Sequence, residues 1–123
     1  MRTLIQRTGS DCGVATLAML AGKTYNDAAN FMLAQYPEAK LVSTGKIVAG
    51  LRYFGIEPLQ KRSRALVGVK LVELRHDALL QGSHKKDAVR PDHWAVWDCK
   101  HKKVRDPWGE DIPFYPSHYM LVR

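Results

Sequence analysis

The stretch from Cys12 to Gly22, CGVATLAMLAG, constrains the fold more than any other part of this chain. Its residues are apolar or small on nearly every side of a helical projection, which is typical of a helix buried all round rather than one lying on a surface. Such a helix needs other elements packed around it. We therefore predict that it is the central helix of the domain and that Gly22 ends it.

Two further helices are predicted in the first half of the chain. The earlier one is capped by Thr24 with Asp27 in the spacing of a capping box, and Pro37 marks its end. The later one begins near residues 43–44 and stops at Gly55. Their apolar positions recur at helical spacing and include Ala28, Phe31, Met32, Ile47, Leu51 and Phe54.

The second half of the chain has the pattern of β-strands. One strand is predicted within residues 66–75, a hairpin from strands at 93–98 and about 102–106, and a last strand at 118–122. The apolar residues of the first strand alternate and would share one face: Val67, Val69 and Leu71. Residues 76–92 are polar with little pattern, so we expect a connection that is mobile.

Helices followed by an antiparallel sheet predict an α+β fold, with the Cys12 helix lying against the sheet. The 123 residues are enough for one domain, 1–123, with one sizeable core. No apolar run reaches the eighteen or so residues of a membrane span, and no signal-peptide core precedes Cys12. We therefore expect a cytoplasmic location.

The formal charge of +7 is concentrated in residues 60–105, which hold twelve Lys or Arg and five Asp or Glu. A basic surface can attract nucleic acid or an acidic partner. The basic residues are not interleaved with aromatic ones and no nucleic-acid module is recognisable, so a solvated surface is the favoured interpretation. No feature of the sequence specifies an oligomeric state.

Cys12 has the setting of a nucleophile, because the positive end of a helix dipole stabilises a thiolate at the first turn. Such a nucleophile needs a histidine as base, a group that orients the histidine, and donors for the oxyanion. His93 opens an apolar strand, and Asp106 would return beside it at the end of the predicted hairpin. Gln6 precedes the turn before the cysteine, so its amide could fold back as the oxyanion donor.

Other assignments of these roles stay open. His118 is an alternative base, and Asp92 is an alternative orienting group. Asp92 is adjacent to His93, however, and the side chains of adjacent residues in an extended chain point in opposite directions. The remaining histidines lie in polar or turn-like surroundings: His76, His84 and His101. Cys99 falls in the hairpin turn and has no role in this scheme. Two cysteines without a secretion signal or a nearby CxxC motif predict neither a disulfide framework nor a zinc site.

The order of these motifs resembles a known family. The motifs are Gln6 six residues before Asp11-Cys12-Gly13, the A-x-L-A-M pattern of residues 15–19, the histidine opening HWAV, and the DP-x-G turn at 106–109. This order is similar to that of the papain-like cysteine peptidases that cleave double-glycine leaders from bacteriocin and other peptide precursors. The polar segment 76–92 is longer than the family's usual connection, and no transporter is attached.

The resemblance implies a papain-like fold and a cysteine peptidase that needs no metal or organic cofactor. It makes Cys12 the nucleophile, His93 the acid and base, Asp106 the orienting group and Gln6 the oxyanion donor. The substrate would be a peptide or protein, such as a leader or precursor peptide. The alternative is a catalytically silent papain-like domain that binds a peptide or a partner protein.

Overall fold

The chain folds as an α+β protein in which helices pack on an antiparallel sheet. A computed structural model describes residues 1–36 and 43–123. In this part of the chain the helices are α1 (Cys12–Ala21), α2 (Tyr25–Gln35) and α3 (Thr44–Tyr53). The strands are β1 (Arg64–Ala65), β2 (Ala78–Ser83), β3 (His93–Asp98), β4 (Lys103–Arg105) and β5 (Tyr115–Leu121), with a short 3-10 helix at Leu71–Glu73.

The ends of the helices confirm the predicted caps. Gly22 ends α1 in the left-handed conformation, with φ 65° and ψ 33°. Thr24 and Asp27 form the capping box of α2. Ser43 accepts a hydrogen bond from the Lys46 amide at the start of α3. The predicted end of α2 at position 37 lies outside the described residues, within which the helix ends at position 35.

The central position of α1 is confirmed. Its residues from 15 to 21 are all buried, and it packs against β3 on one side and against α2 and α3 on others. Among residues 1–36 and 43–123, no helix combines the length and the apolar character that crossing a membrane requires.

The sheet has the strand order β1-β5-β2-β3-β4, with every neighbouring pair antiparallel. The hairpin of β3 and β4 is confirmed, with β4 shorter than predicted, and its register sets Val96 opposite Arg105. The last strand starts at Tyr115, three residues before the predicted start, because it pairs along the full length of β2.

Both faces of the central strands are covered. On the helix side Leu79, Val96 and Met120 join the core with α1. On the other side Leu80 and Trp97 form a second apolar cluster. Val69 and Leu71, from the segment after β1, cover that cluster. Phe114, just before β5, and Tyr119, in β5, also pack against it.

The prediction of a strand within residues 66–75 is wrong. Val67 is 82% exposed, Gly68 has φ 71°, and the chain then forms the 3-10 helix. A left-handed glycine breaks an extended strand, so the alternating valines do not form one face. The segment instead lies over the second apolar cluster through Val69 and Leu71.

The prediction of a polar connection over residues 76–92 is wrong for residues 78–83, whereas residues 84–92 do connect two strands. This segment contains β2, which pairs with β3 on one side and with β5 on the other. Leu79 and Leu80 are both fully buried because each face of the sheet is covered. A strand buried on both faces does not show the alternation by which strands are recognised.

The contact between α1 and α3 yields a test of the packing. A Cβ at Gly50 would lie 2.4 Å from Cδ2 of the fully buried Leu17, whereas one at Gly45 in the same helix has Ser43 Oγ, at 3.9 Å, as its nearest atom in the described part of the chain. Alanine gains roughly 0.5–1 kcal/mol of helix propensity over glycine. Overpacking of a core costs roughly 1–3 kcal/mol.

We therefore expect Gly45→Ala to leave the free energy of unfolding unchanged or raised. We expect Gly50→Ala to lower it by about 1 kcal/mol relative to the wild type, once the propensity gain is set against overpacking. Urea denaturation of the two variants measures this difference. Equal free energies of unfolding for both would contradict the close approach of α3 to α1.

Candidate active site

Cys12 is the first residue of α1 and is partly buried. The loop before it is held by the carboxylate of Asp11, which accepts hydrogen bonds from the Arg7 amide at 2.9 Å and from the Thr8 amide at 2.9 Å. The Tyr25 hydroxyl on α2 donates a short hydrogen bond to the same carboxylate. The position of the thiol therefore depends on a loop that is fixed to the second helix.

The protonation states of Asp11 and Tyr25 keep this loop in place. Burial raises the pKa of Asp11, but the hydrogen bonds from Tyr25, Arg7 and Thr8 outweigh it and hold the pKa below its usual value. Burial and the hydrogen bond to Asp11 raise the pKa of Tyr25 to about 12. At neutral pH the carboxylate is charged and the phenol is a donor.

His93 is the first residue of β3, and its side chain is only 8% exposed. Its Nε2 lies 2.6 Å from Asp106 Oδ1. A charged carboxylate only accepts, so the Nε2–H of the ring donates to it. The side chain of Cys12 lies close enough to the same imidazole to raise its pKa. The fold thus brings Cys12, His93 and Asp106 together in series.

This environment raises the pKa of His93 to about 9. Burial alone would lower the pKa, because it disfavours the charged ring. The hydrogen bonds and the negative charge supplied by Asp106 and Cys12 outweigh burial. The imidazole is therefore a stronger base than an isolated histidine.

The Asp106 carboxylate is almost fully buried and has three donors. Besides His93, the Trp108 amide donates to Oδ1 at 2.9 Å, and Nε2 of His84 lies 2.7 Å from Oδ2. Burial raises the pKa of Asp106, but the hydrogen bonds from His93, His84 and Trp108 outweigh it and hold the pKa below its usual value. The carboxylate is thus a stable anion beside the imidazole.

His84 is the site residue that the sequence analysis missed. It follows β2 directly, and β2 pairs with β3 so that Gly82 lies opposite His93. A correct assignment of β2 as a strand beside β3 would have placed His84 next to the candidate base. The sequence analysis interprets residues 76–92 as a connection and therefore does not place His84 beside β3.

His84, His93 and Asp106 offer three possible metal-ligand atoms within 4.8 Å of one another. Zinc holds nitrogen and oxygen at about 2.0–2.2 Å in a tetrahedron, which separates its ligand atoms by about 3.3 Å. The ring nitrogens instead lie 2.7 and 2.6 Å from separate oxygens of Asp106. These are hydrogen-bond distances, so we describe the cluster as a hydrogen-bonded network.

Gln6 lies in the loop before Cys12. Its amide nitrogen Nε2 donates to the Thr8 carbonyl at 2.7 Å, while its Oε1 is buried without a hydrogen-bond partner in residues 1–36 and 43–123. Its backbone N–H donates to the Pro107 carbonyl at 2.8 Å. The loop that carries Gln6 is therefore tied to the residue after Asp106.

Two hollows open at the site. One, of about 360 Å³, is lined by His93 and Trp94 together with Ser43, Thr44, Gln81, Pro91 and Asp92. The other, of about 310 Å³, is lined by residues 6–9 and by Trp108. Trp108, two residues after Asp106, therefore lines one of these hollows.

The alternative residues lie elsewhere or make other contacts. Asp92 is exposed, and its backbone amide donates to the Gly82 carbonyl. His118 lies in the middle of β5, where its ring contacts the Ser117 hydroxyl at 2.9 Å. Cys99 has its sulfur 3.4 Å from the Leu74 carbonyl.

The raised pKa of His93 predicts a titration that depends on Asp106. We expect the ring of His93 to lose its proton near pH 9 in the wild type, and its pKa to fall towards 6.5 in Asp106→Asn. Because the folded value exceeds the unfolded one, the contribution of His93 to stability is complete below pH 6.5 and is lost as pH rises through 9.

NMR titration of the imidazole protons, assigned with a His93→Gln variant, measures this pKa directly. Asp98→Asn is the matched control, because it removes the carboxylate that lies 2.8 Å from the His101 ring on the same hairpin. It should leave the pKa of His93 unchanged. A pKa that is the same in Asp106→Asn and in the wild type would contradict the described pairing.

Comparison of the chain with protein-family models, with curated proteins and with solved structures finds no match in any of the three.

Proposed function

We propose that this protein is a cysteine peptidase that hydrolyses a peptide bond through Cys12, His93 and Asp106. One observation carries the proposal: a nearly buried imidazole is hydrogen-bonded to a buried carboxylate and interacts with a cysteine at a helix start, which raises the pKa of the ring. A nucleophile, its base and an orienting group in series are the arrangement that nucleophilic catalysis by a thiol requires.

In the first half of the reaction the proton of the Cys12 thiol is already held by His93, because the raised pKa of the ring keeps it charged at neutral pH, and the sulfur attacks the carbonyl carbon of the substrate as a thiolate. A C–S bond forms and the carbonyl electron pair moves to the oxygen. Donors near the helix start stabilise this oxyanion: the Cys12 backbone N–H and the second N–H of the Gln6 amide. The oxyanion then collapses, the C–N bond breaks, and His93 gives its proton to the leaving amine.

In the second half His93 takes a proton from water, and the hydroxide attacks the thioester carbon. A C–O bond forms, the C–S bond breaks, and the sulfur leaves as a thiolate beside the protonated His93, which restores the starting pair. Asp106 holds the imidazole in place and stabilises its positive charge in both halves. No metal or organic cofactor takes part.

The same proposal includes the papain-like arrangement of the fold and the class of substrate. Helices that precede an antiparallel sheet, with the cysteine on the first helix and the histidine on a strand, agree with it. The hollow lined by His93 and the hollow lined by Gln6 leave room for a substrate chain beside these residues. The resemblance to leader peptidases makes a precursor with a leader that ends in two glycines the first substrate to test.

We expect wild type and Cys99→Ala to cut such a synthetic precursor, or peptides in a proteome-derived library, and Cys12→Ala to cut none. Mass spectrometry of the new termini measures this. We also expect iodoacetamide to modify Cys12 at least about tenfold faster than Cys99 in the same molecule, because the activated thiol is the better nucleophile.

Two outcomes would contradict the proposal. One is that Cys12 reacts no faster than Cys99 and that Cys12→Ala behaves as the wild type towards every peptide. The other is that the wild type and Cys12→Ala capture the precursor equally and neither cuts it. The second outcome would favour a papain-like domain that only binds.

The role of Gln6 predicts a separation of two reactions. Gln6→Ala should lower kcat for peptide hydrolysis by about 100-fold or more, because an oxyanion donor is lost. It should leave the alkylation of Cys12 by iodoacetamide unchanged, because displacement of iodide forms no oxyanion. A steady-state assay and an alkylation time course measure the two. Equal losses in both would show that Gln6 holds the loop rather than the oxyanion.

A further inference from the structure

His84 is the one member of the hydrogen-bonded network to which the reaction above gives no step. It lies directly after β2, and its side chain is 24% exposed. Its ring is 4.4 Å from the ring of His93, centroid to centroid, and its Nε2 is 2.7 Å from Asp106 Oδ2. Two imidazoles therefore bond to the two oxygens of a single carboxylate.

The two oxygens of the Asp106 carboxylate accept hydrogen bonds from different donors. Asp106 Oδ1 accepts from His93 and from the Trp108 amide, while Oδ2 accepts from His84. A carboxylate is a rigid plane that can rotate about its bond to Cβ. Without a donor on Oδ2, such rotation would turn Oδ1 away from His93. The bond from His84 opposes this rotation.

The surroundings of His84 hold it in the orientation that this bond needs. The Ser83 hydroxyl accepts a hydrogen bond from the Lys85 amide at 3.1 Å, which fixes the turn on which His84 stands. The rings of Phe114 and Trp108 lie 6.0 and 6.3 Å from the His84 ring.

Gly82 leaves the room that the Phe114 ring needs. A Cβ at Gly82 would lie 2.8 Å from Phe114 Cζ and 2.3 Å from the Tyr115 carbonyl oxygen. The end of β2 is thus shaped so that an aromatic ring packs beside both histidines. His84 is therefore supported by packing as well as by its hydrogen bond.

We propose that His84 is a positioning residue that holds the Asp106 carboxylate in the orientation in which Oδ1 faces His93. It does not touch the reacting atoms and acts through Asp106. Among the residues that the structure describes, the ionisable groups that contact the His93 ring are Cys12, Asp106 and His84 itself. The role assigned to His84 rests on the proposed peptidase function, but its test does not need a cleaved substrate.

The test compares His84→Phe, which keeps a ring but cannot donate, with His84→Gln, whose amide nitrogen reaches the position of Nε2. The readout is the rate of Cys12 alkylation by iodoacetamide across a pH series, with Cys99 as the internal reference thiol. We expect His84→Phe to lower the rate at neutral pH about ten- to hundredfold and to shift the pH profile, because a misplaced catalytic group costs this much. His84→Gln should stay within about threefold of the wild type.

The matched controls are His101→Phe and His101→Gln. The His101 ring also bonds to a buried carboxylate, that of Asp98, at 2.8 Å. These variants should leave the alkylation of Cys12 and its pH profile unchanged. A loss caused by general destabilisation of the hairpin would affect both histidine positions, whereas a positioning role affects His84 alone.

A wild-type profile in His84→Phe would overturn the proposal, and so would an equal loss in His84→Gln and His84→Phe. A measurement on the unmutated protein covers the case in which His84→Phe does not fold. Imidazole ¹H–¹⁵N spectra should show a proton on Nε2 of both His84 and His93. A His84 ring without that proton cannot donate to Asp106 and would overturn the proposal as well.

The two proposals fail in different ways. If no peptide is cut by the wild type but the alkylation rates follow the expected order, the peptidase function is wrong and the positioning role stands. If peptides are cut and Cys12 of His84→Phe is alkylated as fast as in the wild type, the peptidase function stands and the positioning role is wrong.

Discussion

The structure depends on one buried negative charge, the carboxylate of Asp106. An uncompensated ion of this kind costs several kcal/mol when it leaves water. Here the cost is offset by donors from three segments: His84 after β2, His93 at the start of β3, and the Trp108 amide after β4. The carboxylate can be buried only when these segments have met, so the same bonds join the hairpin to its neighbour and form the site.

The sheet and α1 supply the remaining constraint. β2 lies between β3 and β5 and is buried on both faces, which fixes the register that sets Gly82 opposite His93. α1 packs on β3 through its apolar residues, and this contact carries Cys12 to the imidazole. The loop before the helix is held by Asp11 and Tyr25. The packing of α1 on β3 therefore positions the thiol, and the pairing of the strands positions the imidazole.

Local signals predicted much of this fold. The caps of α1 and α2 and the β3–β4 hairpin follow from short-range patterns, and the hairpin alone brings Asp106 back to His93. β2 could not be recognised, because burial of both faces removes its alternation. Because β2 was not recognised, His84 was not assigned to the site. Its partner Asp106 is distant in sequence, and their contact depends on the order of the strands. The prediction of a strand at 66–75 is wrong because Gly68, with its positive φ, turns the chain.

The most direct test of the site is a crystal structure of the protein treated with a peptide aldehyde. The proposed chemistry predicts a covalent bond from Cys12 Sγ to the aldehyde carbon. It also predicts that the His93 ring lies between that sulfur and Asp106, with His84 on the second carboxylate oxygen. An aldehyde bound elsewhere, or a Cys12 sulfur that faces away from His93, would contradict the pairing on which the site is built.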